Sequence, residues 1–250
     1  MADVTLKPDE VLEDLDLNGL KIIQSRVLYR FTSDAVKLAA LTRLKSRETV
    51  ADLGTGSAII PLLLAGRTNA SYIAGIEIQS ELADMAQRSV DYNNLQDKIE
   101  IFNIDITGDL HPLKERLAKR LKTPGVLFDA VTANPPYFVL PTACGDGGDF
   151  TNPAFNAAAN PSDLTAKYET AATMKDFVVA AAKLLKFGGS FYTVNKAARL
   201  AECINVIHGC GMEAKDITLI FPKHGMPADT FILRAVKGGH SGGLTVSVFE

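Results

Sequence analysis

Between Thr49 and Asp105 one pattern repeats: a short apolar run, an acidic residue at or near its end, and then a stretch with helical spacing. Thr49-Val50-Ala51-Asp52-Leu53 leads through Gly54-Thr55-Gly56-Ser57-Ala58 into an apolar helical segment over 59–64. The run 72–78 is followed by a helix over 80–94, apolar at Leu82, Met85, Ala86 and Val90 and stopped by Asn93-Asn94, and the run 99–104 delivers Asp105. Strands separated by helices cannot pair as hairpins. Each connection must cross over, and right-handed crossovers build an α/β, doubly wound, mostly parallel sheet. Another strand leads through Phe128-Asp129-Ala130-Val131-Thr132-Ala133 into Asn134. Further on, a helix over 170–185 with Gly188-Gly189 as its stop, a strand over 190–194 and a helix over 196–207 continue the alternation. The strand-like segments 213–220, 230–236 and 244–249 are joined by short turns, which predicts antiparallel pairing at one edge of the sheet.

A chain of 250 residues can bury one α/β core with small additions. The expected division is an N-terminal lead-in over 1–32 and the main α/β domain over 33–250. Within the lead-in, 20–24 has the composition of a short strand. Thr32, Ser33 and Asp34 precede the periodic apolar set Ala35, Leu38, Ala39 and Leu41, so a capped helix is expected over 33–44. A second role for this stretch, with Phe31 and Thr32 bordering a ligand, stays open. Residues 141–168 are rich in glycine, alanine and asparagine without a period and predict a long loop, which in a compact domain is usually functional or disordered.

A net charge of −3 excludes a generally basic protein, so any nucleic-acid contact must come from a local patch. Lys114, Arg116, Lys119, Arg120 and Lys122, with Lys21, Arg26 and Arg30, are the candidate patch; a solvated helix face accounts for the first group equally well. The cysteines, Cys144, Cys203 and Cys210, are odd in number and lack metal spacing, so no metal site and no disulfide is expected, and His208 and His224 do not complete a standard set. No apolar run is long enough to span a bilayer and no signal pattern opens the chain, from which a cytoplasmic location is expected.

The candidate chemistry sits at the strand ends. Gly54-Thr55-Gly56 offers two glycines of a dinucleotide fingerprint, but Ile59 stands where the third small residue is needed, so a pyrophosphate cradle is disfavoured. Two glycines still let the backbone lie close to a ligand. Asp52 is placed to attract a cationic group, Glu77 to take both hydroxyls of a ribose, and Asp105 to accept from an adenine amino group. Singly each acid reads as a solvated or capping carboxylate. Together they match a nucleoside with a positive substituent, a description that S-adenosylmethionine fits. Asn134-Pro135-Pro136-Tyr137 follows the next strand; proline cannot extend a ladder, so the Asn134 amide, the Pro135 carbonyl and the Tyr137 ring project into open space as a clamp for a planar amine.

With these residues the chain resembles the class I S-adenosylmethionine-dependent methyltransferases that carry an Asn-Pro-Pro-Tyr motif, and within them the bacterial enzymes that methylate adenine N6 in the anticodon loop of a valine tRNA. The likeness rests on Tyr29-Arg30-Phe31-Thr32-Ser33-Asp34-Ala35, Ala51-Asp52-Leu53-Gly54-Thr55-Gly56, Gly75-Ile76-Glu77-Ile78, Asn134-Pro135-Pro136-Tyr137-Phe138 and Phe221-Pro222-Lys223-His224. It implies a Rossmann-like sheet of seven strands with antiparallel C-terminal strands. It also implies S-adenosylmethionine bound by Asp52, Gly54, Gly56, Glu77, Asp105 and Asn134, catalysis by Asn134, Pro135 and Tyr137, and a tRNA substrate. Two departures stand out: Ala58 replaces a glycine usual in relatives, and Ala166-Lys167-Tyr168-Glu169 follows a longer alanine-rich insertion in place of the usual element after the clamp. By this reading Asn134 Oδ1 and the Pro135 carbonyl accept the two amino hydrogens while Tyr137 stacks on the base. Two rivals remain open: methylation of a protein glutamine, whose amide nitrogen fits the same clamp, and a cofactor-binding module without transfer activity.

Overall fold

A computed structural model describes residues 5–137, 171–223 and 225–249. The loop expected over 141–168, Phe138 and His224 lie outside the described residues. The chain begins with a hairpin, β1 (Glu10–Asp14) and β2 (Lys21–Ser25), where only one short strand is expected from sequence. Helix α1 (Ser33–Leu41) follows, and then β3 (Thr49–Leu53), α2 (Ile59–Arg67), β4 (Tyr72–Glu77), α3 (Ser80–Tyr92), β5 (Ile99–Asn103), α4 (His111–Leu121) and β6 (Phe128–Ala133). After the undescribed stretch come α5 (Met174–Leu184), β7 (Leu185–Lys196), a single 3-10 turn, α6 (Leu200–Gly209), β8 (Met212–Ile220), β9 (Thr230–Lys237) and β10 (Thr245–Val248).

The main sheet has eight strands in the order β10-β8-β9-β7-β6-β3-β4-β5. Only β9 is reversed, pairing antiparallel with β7 and β8, while the remaining pairs are parallel. The antiparallel pairing expected from the short turns is present for β8 and β9, whereas β10, expected in the same antiparallel set, pairs parallel with β8 and is the strand beyond the expected seven. The return from β9 to β10 skips over β8. Gly238, Gly242 and Gly243 take positive φ in this link, a backbone state glycine adopts without steric cost.

Strands β3 and β4 are buried along their whole length, as parallel strands covered on both faces must be. Side chains alternate between two cores. Val50 and Ile73 face Leu38 of α1 and the apolar stretch Ile59 to Leu64 of α2; Ala51, Leu53 and Ile76 face Leu117 of α4, Phe177 of α5 and Ile207 of α6. The hairpin is held on α3, where Ile23 N donates to Ser89 Oγ at 2.9 Å and Arg88 forks onto the Glu10 carboxylate. Helix α5 opens with a capping box between Thr173 and Asp176.

The structure departs from the expected pattern at Gly188-Gly189. The helix already ends at Leu184, and Leu185 pairs with Phe128 before the register jumps to Ser190 opposite Ala130. The two glycines thus form an irregularity inside β7, where a Cβ on Gly189 would lie 3.0 Å from the Asp129 carbonyl oxygen. Among the described residues no helix is long and apolar enough to cross a membrane.

Candidate active site

The C-terminal ends of β3, β4 and β6, the loop after β5 and the start of α1 surround a cavity of about 330 Å³. That volume is in the range of small-molecule sites, and the position is where open α/β sheets bind ligands. Gly54, Gly56, Glu77, Asp105, Asn134, Pro135 and Tyr137 line it together. Phe31 and Thr32 line it as well, the second role left open for that stretch.

The turn after β3 is shaped by its own bonds. Gly54 and Gly56 both take positive φ, and Ala58 does so too, with φ 70° and ψ 30°. Glycine adopts that left-handed state without steric cost; alanine accommodates it at a cost of roughly 1–2 kcal/mol. A Cβ on Gly56 would meet nothing within 4 Å, so the backbone there borders open space, whereas one on Gly54 would come within 3.2 Å of the Phe177 ring.

Glu77, 5% exposed, clasps this turn: Oε2 accepts from Gly56 N at 2.8 Å and Oε1 from Gln79 N at 2.9 Å. Burial holds its pKa above the ordinary carboxylate value, against the pull of the backbone donors. A carboxylate has about four lone-pair sites, so two hydroxyl donors can still be received. Asp105 Oδ1 accepts from Thr107 N and Oγ1, both at 2.8 Å, and the residue lines the cavity beside Ile104 and Ile106, an apolar edge suited to a flat base. The two carboxylate acceptors, the open backbone over Gly56 and the apolar edge fit S-adenosylmethionine.

Asp52 is placed differently from the other acids. It is fully buried and does not line the cavity; Oδ2 accepts from Thr55 Oγ1 at 2.7 Å and Oδ1 from Thr132 Oγ1 at 2.6 Å. Thr132 is its direct neighbour across the β3–β6 register, and on the other side the neighbour is Gly75, whose missing side chain leaves room for Thr55 to fold back. The carboxyl therefore braces the turn from beneath. Burial pushes its pKa up from 3.8 to about 7; the Thr132 and Thr55 hydroxyls lower it and Glu77 adds to the rise.

A raised pKa means that the folded protein keeps a proton the unfolded chain releases. The group's contribution to stability is complete below 3.8 and is lost as pH rises through about 7. A shift of about three units corresponds to roughly 4 kcal/mol. Asp52→Asn stays neutral throughout. The melting temperature of Asp52→Asn minus that of the wild type is therefore expected to climb from pH 4 to pH 7 and then level; a difference independent of pH would contradict the raised pKa.

The clamp residues meet at the cavity mouth. Tyr137 Oη lies 2.8 Å from Asn134 Oδ1 and 3.0 Å from Asp34 Oδ2, and burial with the Asp34 carboxylate raises the phenol well above its ordinary pKa, keeping the hydroxyl a donor. Lys196 Nζ stands 5.5 Å from the ring centroid and bonds Asp229 at 2.8 Å, while Arg199 donates to the Tyr137 carbonyl at 3.3 Å. Thr32, expected to cap α1, makes no side-chain cap bond, and the Asp34 carboxylate serves the cavity instead.

Two further contributors were not visible in sequence. Gln24 of β2, fully buried, donates to Ser57 Oγ in the glycine turn and accepts from Phe31 N at 3.4 Å, tying the hairpin to the cavity wall. Lys196 was placed at a helix start, with nothing to mark it as a cavity residue. The basic segment on α4 goes the other way. Arg116 bonds Glu100 at 2.6 Å and the Arg120 guanidinium lies 5.4 Å over the Tyr72 ring, partners near the starts of β5 and β4, at the end of the sheet opposite the cavity.

No family model matches the chain. The similar curated proteins include tRNA1(Val) (adenine(37)-N6)-methyltransferases. That of Histophilus somni is 26% identical over 73% of this chain and 67% of its own length, and that of Erwinia tasmaniensis 25% identical over 85% and 77%. The Photorhabdus laumondii protein is 32% identical over 48% of this chain, which there spans less than half, 45%, of the relative's length. Among solved structures, a predicted O-methyltransferase from Agrobacterium tumefaciens superposes with a TM-score of 0.57 at 24% identity, covering 86% of this chain and 85% of that one. A T. thermophilus 16S rRNA guanine-N2 methyltransferase in complex with AdoMet and guanosine gives 0.57 at 17% identity, covering 94% and 52%. The chain has the fold of class I methyltransferases, and in sequence it resembles the tRNA1(Val) adenine-N6 enzymes.

Proposed function

We propose that this chain, with a methyltransferase fold and relatives named as methyltransferases, transfers a methyl group from S-adenosylmethionine to the exocyclic N6 of an adenine in RNA, an anticodon-loop adenosine of a tRNA. The observation that carries the reading is the meeting of Asn134, Pro135 and Tyr137 with Gly54, Gly56 and Glu77 at one cavity. Glu77 and the open glycine turn would hold the ribose and backbone side of S-adenosylmethionine, Asp105 and its apolar neighbours the base. Bound there, S-adenosylmethionine supplies an electrophilic methyl group.

The chain's own residues position the nitrogen that receives it. An exocyclic amine conjugated to a ring is a poor nucleophile because its lone pair is shared with the ring. Two acceptors, Asn134 Oδ1 and the Pro135 carbonyl, would draw its hydrogens out of the conjugated arrangement and aim the lone pair at the methyl group. No side chain has to remove a proton beforehand, since the methylated nitrogen is strongly acidic until it loses its extra proton to water. A target adenosine has to leave its stack to reach the cavity, which costs least in a loop.

The test is label transfer from methyl-tritiated S-adenosylmethionine to bulk tRNA lacking its modifications, alongside a lysate protein fraction. Label is expected in RNA. Label confined to protein would support amide methylation instead and end the RNA reading.

A further inference from the structure

Tyr137 has one hydroxyl hydrogen and two oxygens within bonding distance, Asn134 Oδ1 at 2.8 Å and Asp34 Oδ2 at 3.0 Å. The acceptor assigned to the incoming amine is therefore already occupied whenever the hydroxyl points at Asn134. An amide oxygen can accept twice, but a second donor competes for the same electron density. The carboxylate of Asp34 is the stronger acceptor of the two. Its other oxygen stands 3.8 Å from Lys37 Nζ, which leaves Oδ2 directed at Tyr137. Rotation about the phenol C–O bond moves the hydrogen from one acceptor to the other.

We propose that Asp34 is a positioning residue for the clamp: it takes the Tyr137 hydroxyl and so releases Asn134 Oδ1 for the hydrogen of the substrate amine. With the hydroxyl turned to Asp34, Tyr137 Oη and Asn134 Oδ1 face the cavity as two acceptors side by side, an arrangement relieved by an N–H donor and by no carbonyl group. Asp34 thereby favours an amino group over a keto group at the reacting position. The Tyr137 ring is held for this task, with its carbonyl fixed by Arg199 and a lysine over the ring. The inference rests on the proposed amino-methyl transfer at this site, whatever molecule bears the amine.

The test is a double-mutant cycle on the full chain: wild type, Asp34→Asn, Tyr137→Phe and the pair, read as single-turnover methyl transfer to whichever acceptor the wild type labels, RNA or protein amide. S-adenosylmethionine affinity is measured by calorimetry on all four. Asp34→Asn is expected to lower the rate about 10-fold with Tyr137 present, the loss typical of a hydrogen bond to a charged group, and less than 3-fold on the Tyr137→Phe background, with cofactor affinity unchanged within 2-fold throughout. Equal losses on both backgrounds, or a fall in cofactor affinity matching the fall in rate, would overturn the role for Asp34. Protein label without RNA label overturns the adenosine reading while the ratio between backgrounds still decides this one, and no label in either fraction overturns both.

Discussion

Asn134→Ala is expected to lower methyl transfer by about 10²–10³-fold, the loss that follows removal of one fixed polar group acting on a transition state, while S-adenosylmethionine affinity changes by a few-fold at most. Asn134 follows directly on β6, the strand whose neighbour in the sheet is β3, so its amide reaches the cavity from the same sheet end as the glycine turn. An interaction made only as the amine is reshaped shows in the rate and not in ground-state binding. Single-turnover rates and calorimetry separate the two; equal losses in both would move Asn134 from the clamp to the cofactor's own site. A fall in melting temperature is not part of the expectation, because Tyr137 retains Asp34 as a partner.

Glu77→Ala is expected to weaken S-adenosylmethionine binding by roughly 10²-fold. Two effects act together: the proposed acceptor for two ribose hydroxyls is lost, and Gly56 N and Gln79 N lose the carboxylate that holds the glycine turn in shape. Glu77→Gln keeps one acceptor oxygen and should fall between. Calorimetry at fixed pH reads both variants, and wild-type affinity in Glu77→Ala would refute its assignment. Folding should suffer as well, since the same carboxylate joins the glycine turn to the start of α3.

The fold could be read in advance because its evidence is local. The alternation of β3, α2, β4, α3 and β5 follows from periodicity within each segment, and the strand bounds at Thr49–Leu53 and Phe128–Ala133 coincide with the expected ones. What could not be read depends on contacts between distant segments. Asp52 sits at a strand end like Glu77, yet its side chain turns beneath the turn because Thr132, eighty residues on, and Thr55 supply hydroxyls and Gly75 supplies space. Nothing local to Asp52 announces this. Gln24 is similarly hidden: in sequence it is a polar residue at the end of a short apolar run, and only the docking of the hairpin on α3 brings it to Ser57. Asp34 was in view as a cap residue; the alternative use of its carboxylate required Tyr137, 103 positions away, to be placed beside it. The basic run on α4 shows the same limit, since charge density is a local property and the end of the sheet to which a helix carries it is set by the crossover.

We propose that the Asn134–Tyr137 end of β6 presents an adenine amine to the S-adenosylmethionine site. The most direct test is nucleoside analysis by mass spectrometry of unmodified tRNA incubated with S-adenosylmethionine and the full chain, with Asn134→Ala in parallel. N6-methyladenosine is expected in the wild-type reaction and is expected to be lost in the variant. A different methylated nucleoside, or N6-methyladenosine formed equally by Asn134→Ala, would contradict the proposal.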